Sequence, residues 1–259
     1  MMIGRGESVA RASALYEKRL SPESTRNMRD LLEASRHESA VLHATTVLCD
    51  YLNRWNEAEA EEVAKAEAAV LQALESNPSH ALAHYAKGFV HRTKGEHEAA
   101  LAAFTETLKH TPDFARAHAQ RGAELLYLGR PGEAIAEVEK ALELSPRSAQ
   151  RGMFYWIMGR ARFFMGQYAE AIPWLRRSIR LWPHLWYNRL YLASAYALSG
   201  KTAAAGRVLR DFERVFSGYT LARVIEHERT NPNDNPFVVA GRERFREGLR
   251  RSGMSAGAA

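Results

Sequence analysis

Residues 81–114 read ALAHYAKGFVHRTKGEHEAALAAFTETLKHTPDF, and residues 115–148 read ARAHAQRGAELLYLGRPGEAIAEVEKALELSPRS. Both segments have glycine at the eighth and fifteenth positions, alanine at the twentieth and proline at the thirty-second. The frame recurs along the chain at intervals of 34, 37 and 34 residues. Several columns that recur at one period indicate a protein built of stacked helical units. These columns are Gly88, Gly122, Gly159 and Ala193; Gly95, Gly129, Gly166 and Gly200; Ala100, Ala134, Ala171 and Ala205; and Pro112, Pro146 and Pro183.

Each column has a physical role in a helical hairpin. Small residues at the eighth and twentieth positions allow two helices to cross closely. Glycine at the fifteenth position suits the left-handed conformation that ends the first helix. Proline at the thirty-second position ends the second helix, because the residue before proline is disfavoured in the helical region. A hairpin of this kind cannot bury its apolar face alone, so the pattern predicts stacking.

The pattern resembles the tetratricopeptide repeat, which places a large residue at position 4, glycine or alanine at 8, alanine at 20 and proline at 32. Residues 152–185 match it at Tyr155, Gly159, Ala171 and Pro183, whereas the last unit has Ser217 where proline is expected. The resemblance implies an all-α, right-handed superhelical α-solenoid of antiparallel helix hairpins. It also implies a surface for partners instead of a catalyst.

The repeat boundaries predict the domain organisation. Pro78 precedes Pro112 by one period, so we expect a degenerate hairpin before the clear repeats. The expected segments are an N-terminal helical or partly disordered region (1–37), a degenerate hairpin (38–80), four repeats in 81–219 (81–114, 115–148, 152–185 and 186–219), C-terminal capping helices (220–251) and a disordered tail (252–259).

Composition limits the class of protein. The single Cys49 excludes an internal disulfide and fits a reducing cytoplasm, where we expect this chain to reside. No apolar run is long enough for a transmembrane helix, and no secretory signal pattern is found. Residues 1–150 carry 18 basic and 22 acidic residues, and residues 151–259 carry 18 and 8. Nucleic-acid binding is one interpretation of this asymmetry, but we favour a solvated, arginine-rich helical face.

Catalytic and metal-binding motifs are missing from the sequence. His80, His84 and His91 share a helical face, but His84, His91 and His118 occupy packing columns of the repeat. No HExxH pattern, nucleophile elbow, phosphate-binding loop or dinucleotide fingerprint is present. We therefore expect no catalysis, no metal and no cofactor.

The first helix of each tetratricopeptide hairpin lines a concave groove through its positions 2, 5, 9, 12 and 13. Here these positions carry aromatic residues and arginine, and that much exposed aromatic surface should be covered. We expect a protein or peptide partner in this groove; the alternative is that the chain's own N-terminal helix, or tight curvature, fills it. The expected partner-binding residues are Tyr85, Phe89, Arg116, Tyr127, Trp156, Arg160, Phe163, Tyr187 and Tyr191.

A second resemblance lies at the C-terminal end. Asn235-Pro236-Phe237, Arg242-Glu243-Arg244 and Gly248-Leu249-Arg250 resemble the close of the repeat region in bacterial class III adenylate and guanylate cyclases. The cyclase domain is not in this sequence. The resemblance implies a sensory or regulatory region of a signalling enzyme or transcriptional regulator, either as a free-standing module or as a fragment of a longer protein whose output domain lies upstream or on another chain. Because the groove and the ends of a repeat array expose surface, a homodimer is a further alternative.

Overall fold

The computed structural model describes residues 42, 45–46, 60–147, 150–183, 185–229 and 231–257. Two compact units divide the chain, Met1–Ala117 and His118–Ala259. The predicted segment 1–37, and most of the first helix of the degenerate hairpin, lie outside the described residues. All regular secondary structure in the described ranges is helical, as the repeat pattern predicts.

The first unit contains α1 (Ala60–Ser76), α2 (Ala81–Thr93) and α3 (His97–His110). On α1, Ala66, Val70 and Ala73 are buried. Between α2 and α3, a Cβ at Gly88 would lie 2.5 Å from the Phe104 ring. The small residue at this position therefore sets the close approach of the two helices, as predicted.

The second unit follows the same hairpin arrangement and ends in two further helices. The unit boundary falls within α4 (Ala115–Tyr127). The later helices are α5 (Pro131–Leu144), α6 (Arg151–Phe164), α7 (Tyr168–Leu181), α8 (Trp186–Leu198), α9 (Thr202–Glu213), α10 (Leu221–Arg229) and α11 (Pro236–Arg251).

The repeated glycine turns adopt one geometry. Gly95, Gly129, Gly166 and Gly200 have φ of 77°, 73°, 77° and 78°, the left-handed region in which other residues are strained. In each turn the N–H after the glycine donates to the carbonyl five residues earlier, as from Glu96 to His91 at 2.9 Å. This bond satisfies a carbonyl that the helix end leaves open. The predicted C-cap role of these glycines is confirmed.

The C-terminal residues differ from the expected disordered tail. After α11, Met254 is buried, and the carbonyls of Ser255 and Ala256 accept hydrogen bonds from the backbone N–H groups of Leu221 and Ala222 at 2.9 and 3.0 Å. Small residues suggested disorder, but their backbone groups pair with the open N-terminal donors of α10. Residues 252–257 are thus attached to the second unit.

Within the described ranges, no helix combines the length and the apolarity needed to cross a membrane.

Candidate functional site

Four of the nine predicted partner-binding residues, Tyr85, Phe89, Phe163 and Tyr191, are buried. Phe89 and Phe163 are both 0% exposed. Phe89 packs edge-on against Phe104 of its own hairpin, with ring centroids 5.4 Å apart. These side chains stabilise the hairpin core and present no surface to a partner.

In the first unit the predicted residues form a covered aromatic cluster. The Tyr85 ring is buried, with its centroid 4.9 Å from that of Phe114 and 5.2 Å from that of Phe89. The half-buried Arg116 guanidinium lies 5.1 Å from the Phe114 ring and 5.9 Å from the Tyr85 ring. Arg116 therefore covers this cluster through cation–π contacts.

In the second unit, Arg160 lies within an aromatic frame. Its guanidinium carbon is 5.0, 5.5 and 5.6 Å from the ring centroids of Tyr127, Trp156 and Phe164. Nη1 also approaches the Tyr127 hydroxyl at 3.5 Å. Burial opposes the charged form, but Tyr127, Tyr191 and Glu124 outweigh it and raise the pKa of Arg160. Arg160 is a fixed cation beside three apolar rings.

Helix α11 covers one side of this frame. The ring of Phe245 stacks on Tyr191 with centroids 4.0 Å apart and planes at 12°. Phe237, at the start of the same helix, lies 6.1 Å from Phe164. Burial of Tyr191 raises the pKa of its hydroxyl to about 12. The chain's own C-terminal helix therefore occupies part of the surface predicted for a partner.

Two glycines allow α11 to approach this surface at backbone distance. A Cβ at Gly241 would overlap Cδ1 and Cε1 of Phe164, and a Cβ at Gly248 would lie 2.8 Å from the Ser194 Cα. The Ser194 hydroxyl donates to the Phe245 carbonyl at 3.0 Å. Gly241, Phe245 and Gly248 follow a spacing of four and three residues and share one helical face.

The segment NPNDNP (231–236), which separates α10 from α11, also attaches α11 to the second unit. The Asn233 amide donates to the Tyr127 carbonyl at 2.9 Å, and the Asn235 amide donates to the Leu128 carbonyl at 3.1 Å. The Asn235 side-chain oxygen Oδ1 accepts from the Phe237 N–H at 3.0 Å and so caps α11. One asparagine thus starts the helix and fixes it to the turn at Gly129.

Arginines of α11 add further backbone bonds. Arg244 donates to the Phe164 carbonyl at 2.7 Å, and Arg242 donates to the Asn231 carbonyl at 2.8 Å. Part of the C-terminal excess of arginine therefore serves the attachment of α11. The sequence predicts the N-terminal helix as an alternative occupant of the concave groove. In the second unit, the C-terminal helix α11 covers part of that groove.

The remaining predicted residues of the second unit keep partial exposure. Tyr127, Trp156, Arg160 and Tyr187 are all half-buried. Trp156 contacts the edge of Tyr191 at 5.1 Å, and Tyr187 stacks on Trp186 at 3.7 Å. We call Tyr127, Trp156, Arg160 and Tyr187 the open strip. In the second unit, it is the part of the predicted site that keeps exposed surface.

His227 packs beside this strip and makes stability depend on pH. Its ring lies 4.7 Å from Tyr187 and 5.4 Å from Trp186. Burial, helped by Arg242, lowers its pKa from 6.5 to about 4. At low pH the unfolded chain binds a proton at His227 that the folded chain excludes. The contribution of neutral His227 to the free energy of unfolding is therefore complete above about pH 6.5 and is lost as pH falls toward 4.

We expect the wild type to lose more stability than His227→Gln when the pH is lowered from 7 to 5. After a discount for partial exposure, the extra loss is on the order of 1 kcal/mol. Urea denaturation followed by circular dichroism at both pH values measures it. An identical loss in the two proteins would contradict the assignment.

The histidines weighed as metal ligands have local partners. His118 Nδ1 lies 2.8 Å from Glu137, His91 Nδ1 lies 2.6 Å from Glu96, and His84 Nε2 lies 2.8 Å from the Pro78 carbonyl. His80 caps α2 by accepting from the Ala83 N–H. Across the ranges that the structure describes, no three His, Cys, Asp or Glu side chains are grouped to hold a metal ion.

Sequence comparison finds repeats of a known kind. Models of the tetratricopeptide repeat match residues 55–114, and a second such model matches residues 115–148 and 154–184. The chain therefore carries tetratricopeptide repeats, as its spacing predicts.

Solved structures with the same fold come from several bacterial systems. PilW, a type IV pilus biogenesis factor, is 20% identical with a TM-score of 0.60 over 82% of this chain and 91% of its own. PilF of Pseudomonas aeruginosa is 21% identical with a TM-score of 0.57, over 83% and 92%. A thermophilic repeat protein of Thermus thermophilus is 18% identical with a TM-score of 0.54, over 74% and 98%. At this identity the likeness concerns the fold alone.

Proposed function

We propose that this chain, which carries tetratricopeptide repeats, is a non-catalytic protein-interaction module whose partner binds along the open strip. The observation that supports the proposal is Arg160, held among Tyr127, Trp156 and Phe164 with no carboxylate of the described residues within ion-pair distance. The Arg160 side chain keeps partial exposure, so a carboxylate of a second molecule can approach it.

The chemistry of the strip defines the partner segment. Tryptophan, tyrosine and arginine are the residues that most often dominate binding energy at protein interfaces. A segment with one apolar anchor near Trp156 and one Asp or Glu facing Arg160 would satisfy both groups. Helical segments suit such a surface, since α11 already lies against the neighbouring Tyr191 as a helix.

The position of α11 restricts where the partner lies. Phe245 covers Tyr191, and Gly241 covers Phe164, so these two rings are closed to a second molecule. Trp156 and Tyr187 retain exposed surface. The partner therefore lies beside α11 and does not replace it.

Trp156→Ala and Arg160→Ala should each weaken partner binding at least tenfold, which corresponds to about 1.4 kcal/mol or more. The measurement is an affinity pull-down with quantitative mass spectrometry, followed by titration of the captured partner. Leu181→Ala is the control, because Leu181 is exposed at the end of α7, the second helix of its hairpin. Retention of every captured protein by Trp156→Ala would contradict the proposal.

A further inference from the structure

A group of exposed arginines on α7 has no ion-pair partner in the described part of the chain. Arg176, Arg177 and Arg180 lie within five residues of one another and are all exposed. With Pro173 they line a depression of about 370 Å³. Among the described residues, no carboxylate contributes to its lining. We call these three arginines the α7 arginine site.

Several other arginines in the same unit are paired with nearby carboxylates. The one acidic residue of α7, Glu170, forms an ion pair with Arg162 of α6 at 3.1 Å instead of with the α7 arginine site. Elsewhere in the unit the ion pairs are Arg121–Glu137, Arg130–Glu133, Arg214–Asp211, Arg246–Glu228, Arg250–Glu247 and Arg251–Glu247. The three cations of α7 therefore form a concentration of unneutralised charge.

The spacing of these arginines is unfavourable in the free protein. Arg176 and Arg180 are four residues apart and are neighbours on the helix surface, where like charges are destabilising by a few tenths of a kcal/mol. A bound anion would relieve this repulsion. The spacing of Arg176 and Arg180 is therefore more favourable with an anion bound than in the free protein.

One arginine of the group is oriented before any ligand binds. The Arg177 guanidinium lies 4.9 Å from the Trp174 ring and 5.9 Å from the Tyr155 ring. Arg151 of α6 approaches the same Tyr155 ring at 5.1 Å, and its Nη1 donates to the Pro146 carbonyl. Stacking on aromatic rings limits the freedom of Arg177, so less entropy is lost when its N–H groups bind an acceptor.

We propose that the α7 arginine site binds the phosphate groups of a multiply phosphorylated ligand. Guanidinium groups present paired N–H donors that match phosphate oxygens, and the bonds are strengthened by charge. Three arginines within two helical turns match an anion of at least two negative charges. The site lies on α7 and not on the first helices that carry the open strip, so it is a second binding site beyond the proposed partner function.

The test is calorimetric titration of the full chain with inorganic pyrophosphate at fixed ionic strength. Substituting all three arginines with glutamine (Arg176→Gln, Arg177→Gln and Arg180→Gln) should weaken binding at least tenfold. The control removes the same charge from exposed positions on α9 and α10, through Arg207→Gln, Arg210→Gln and Arg223→Gln. This control should bind within twofold of the wild type. Circular dichroism checks that both variants fold.

A second arm separates a free phosphate compound from a lipid headgroup. Phosphatidylcholine vesicles containing about one fifth phosphatidylinositol bisphosphate are sedimented with each protein. Loss of binding in the α7 variant alone, to pyrophosphate or to the vesicles, supports the site and identifies the source. No binding to either probe, or equal weakening in both variants, would overturn it, because the attraction would then be net charge only.

Discussion

Gly241→Ala is expected to lower the free energy of unfolding by about 1–3 kcal/mol, the range found when atoms are forced into a packed interior. The added methyl group would overlap Cδ1 and Cε1 of Phe164. That ring cannot move aside easily, because the Arg160 guanidinium lies 5.6 Å from it and Phe237 lies 6.1 Å from it. The helix α11 must shift instead. Urea denaturation followed by circular dichroism measures the loss.

Gly132→Ala is the matched control. Gly132 lies in α5, and a Cβ there would have no atom within 4 Å. Alanine is favoured over glycine in a helix by about 1 kcal/mol, so this variant should be as stable as the wild type or more stable. If both variants unfold at the same urea concentration, α11 does not approach Phe164 as closely as the structure shows.

Phe245→Ala is expected to be more destabilising, by about 3–5 kcal/mol, as for other large buried aromatic side chains. Phe245 is 1% exposed, stacks on Tyr191 and contacts the edge of Phe163 at 6.3 Å. Its removal leaves a cavity between α11 and the hairpins of the second unit. The same denaturation experiment gives the value.

Val239→Ala tests whether the loss of stability is specific to the face of α11 that contacts the second unit. Val239 lies on the same helix but is 37% exposed, so its truncation should change stability by less than about 0.5 kcal/mol. Equal effects of the two substitutions would mean that α11 has no preferred face against the second unit.

The hairpins could be predicted from sequence because their signals are local. Gly95 and its counterparts lie within the turns that they form, and their positive φ angles follow from the repeat spacing. The positions of Gly88 and Phe104, one on each helix of a hairpin, are likewise set by a single period. Local spacing therefore fixes the architecture of each hairpin.

The candidate site was less predictable because its covering helix is distant in sequence. Repeat positions correctly placed Trp156 and Arg160 on one surface, with their side chains 5.5 Å apart. They could not show that Tyr191 is covered, since its partner Phe245 belongs to a later, non-repeated helix. The spacing of Gly241, Phe245 and Gly248 was the available signal, but nothing local indicates what such a face contacts.

The resemblance to cyclase repeat regions stays a prediction, but the residues on which it was based make structural contacts in this chain. Asn235 caps α11 and binds the Leu128 carbonyl, Arg244 binds the Phe164 carbonyl, and Gly248 approaches Ser194. Each of these residues belongs to the motif that carries the resemblance. The motif therefore has a structural role, and a regulatory role toward a signalling enzyme stays a prediction.

Hydrogen exchange measured by mass spectrometry tests most directly whether α11 is an integral part of the second unit. We predict that the amides of residues 238–251 exchange as slowly as those of α8, in one cooperative opening, because an isolated helix of this length is marginal in water. Gly241→Ala should accelerate exchange in α11. Exchange of residues 238–251 at the rate of an unfolded peptide, with α8 still protected, would contradict the account.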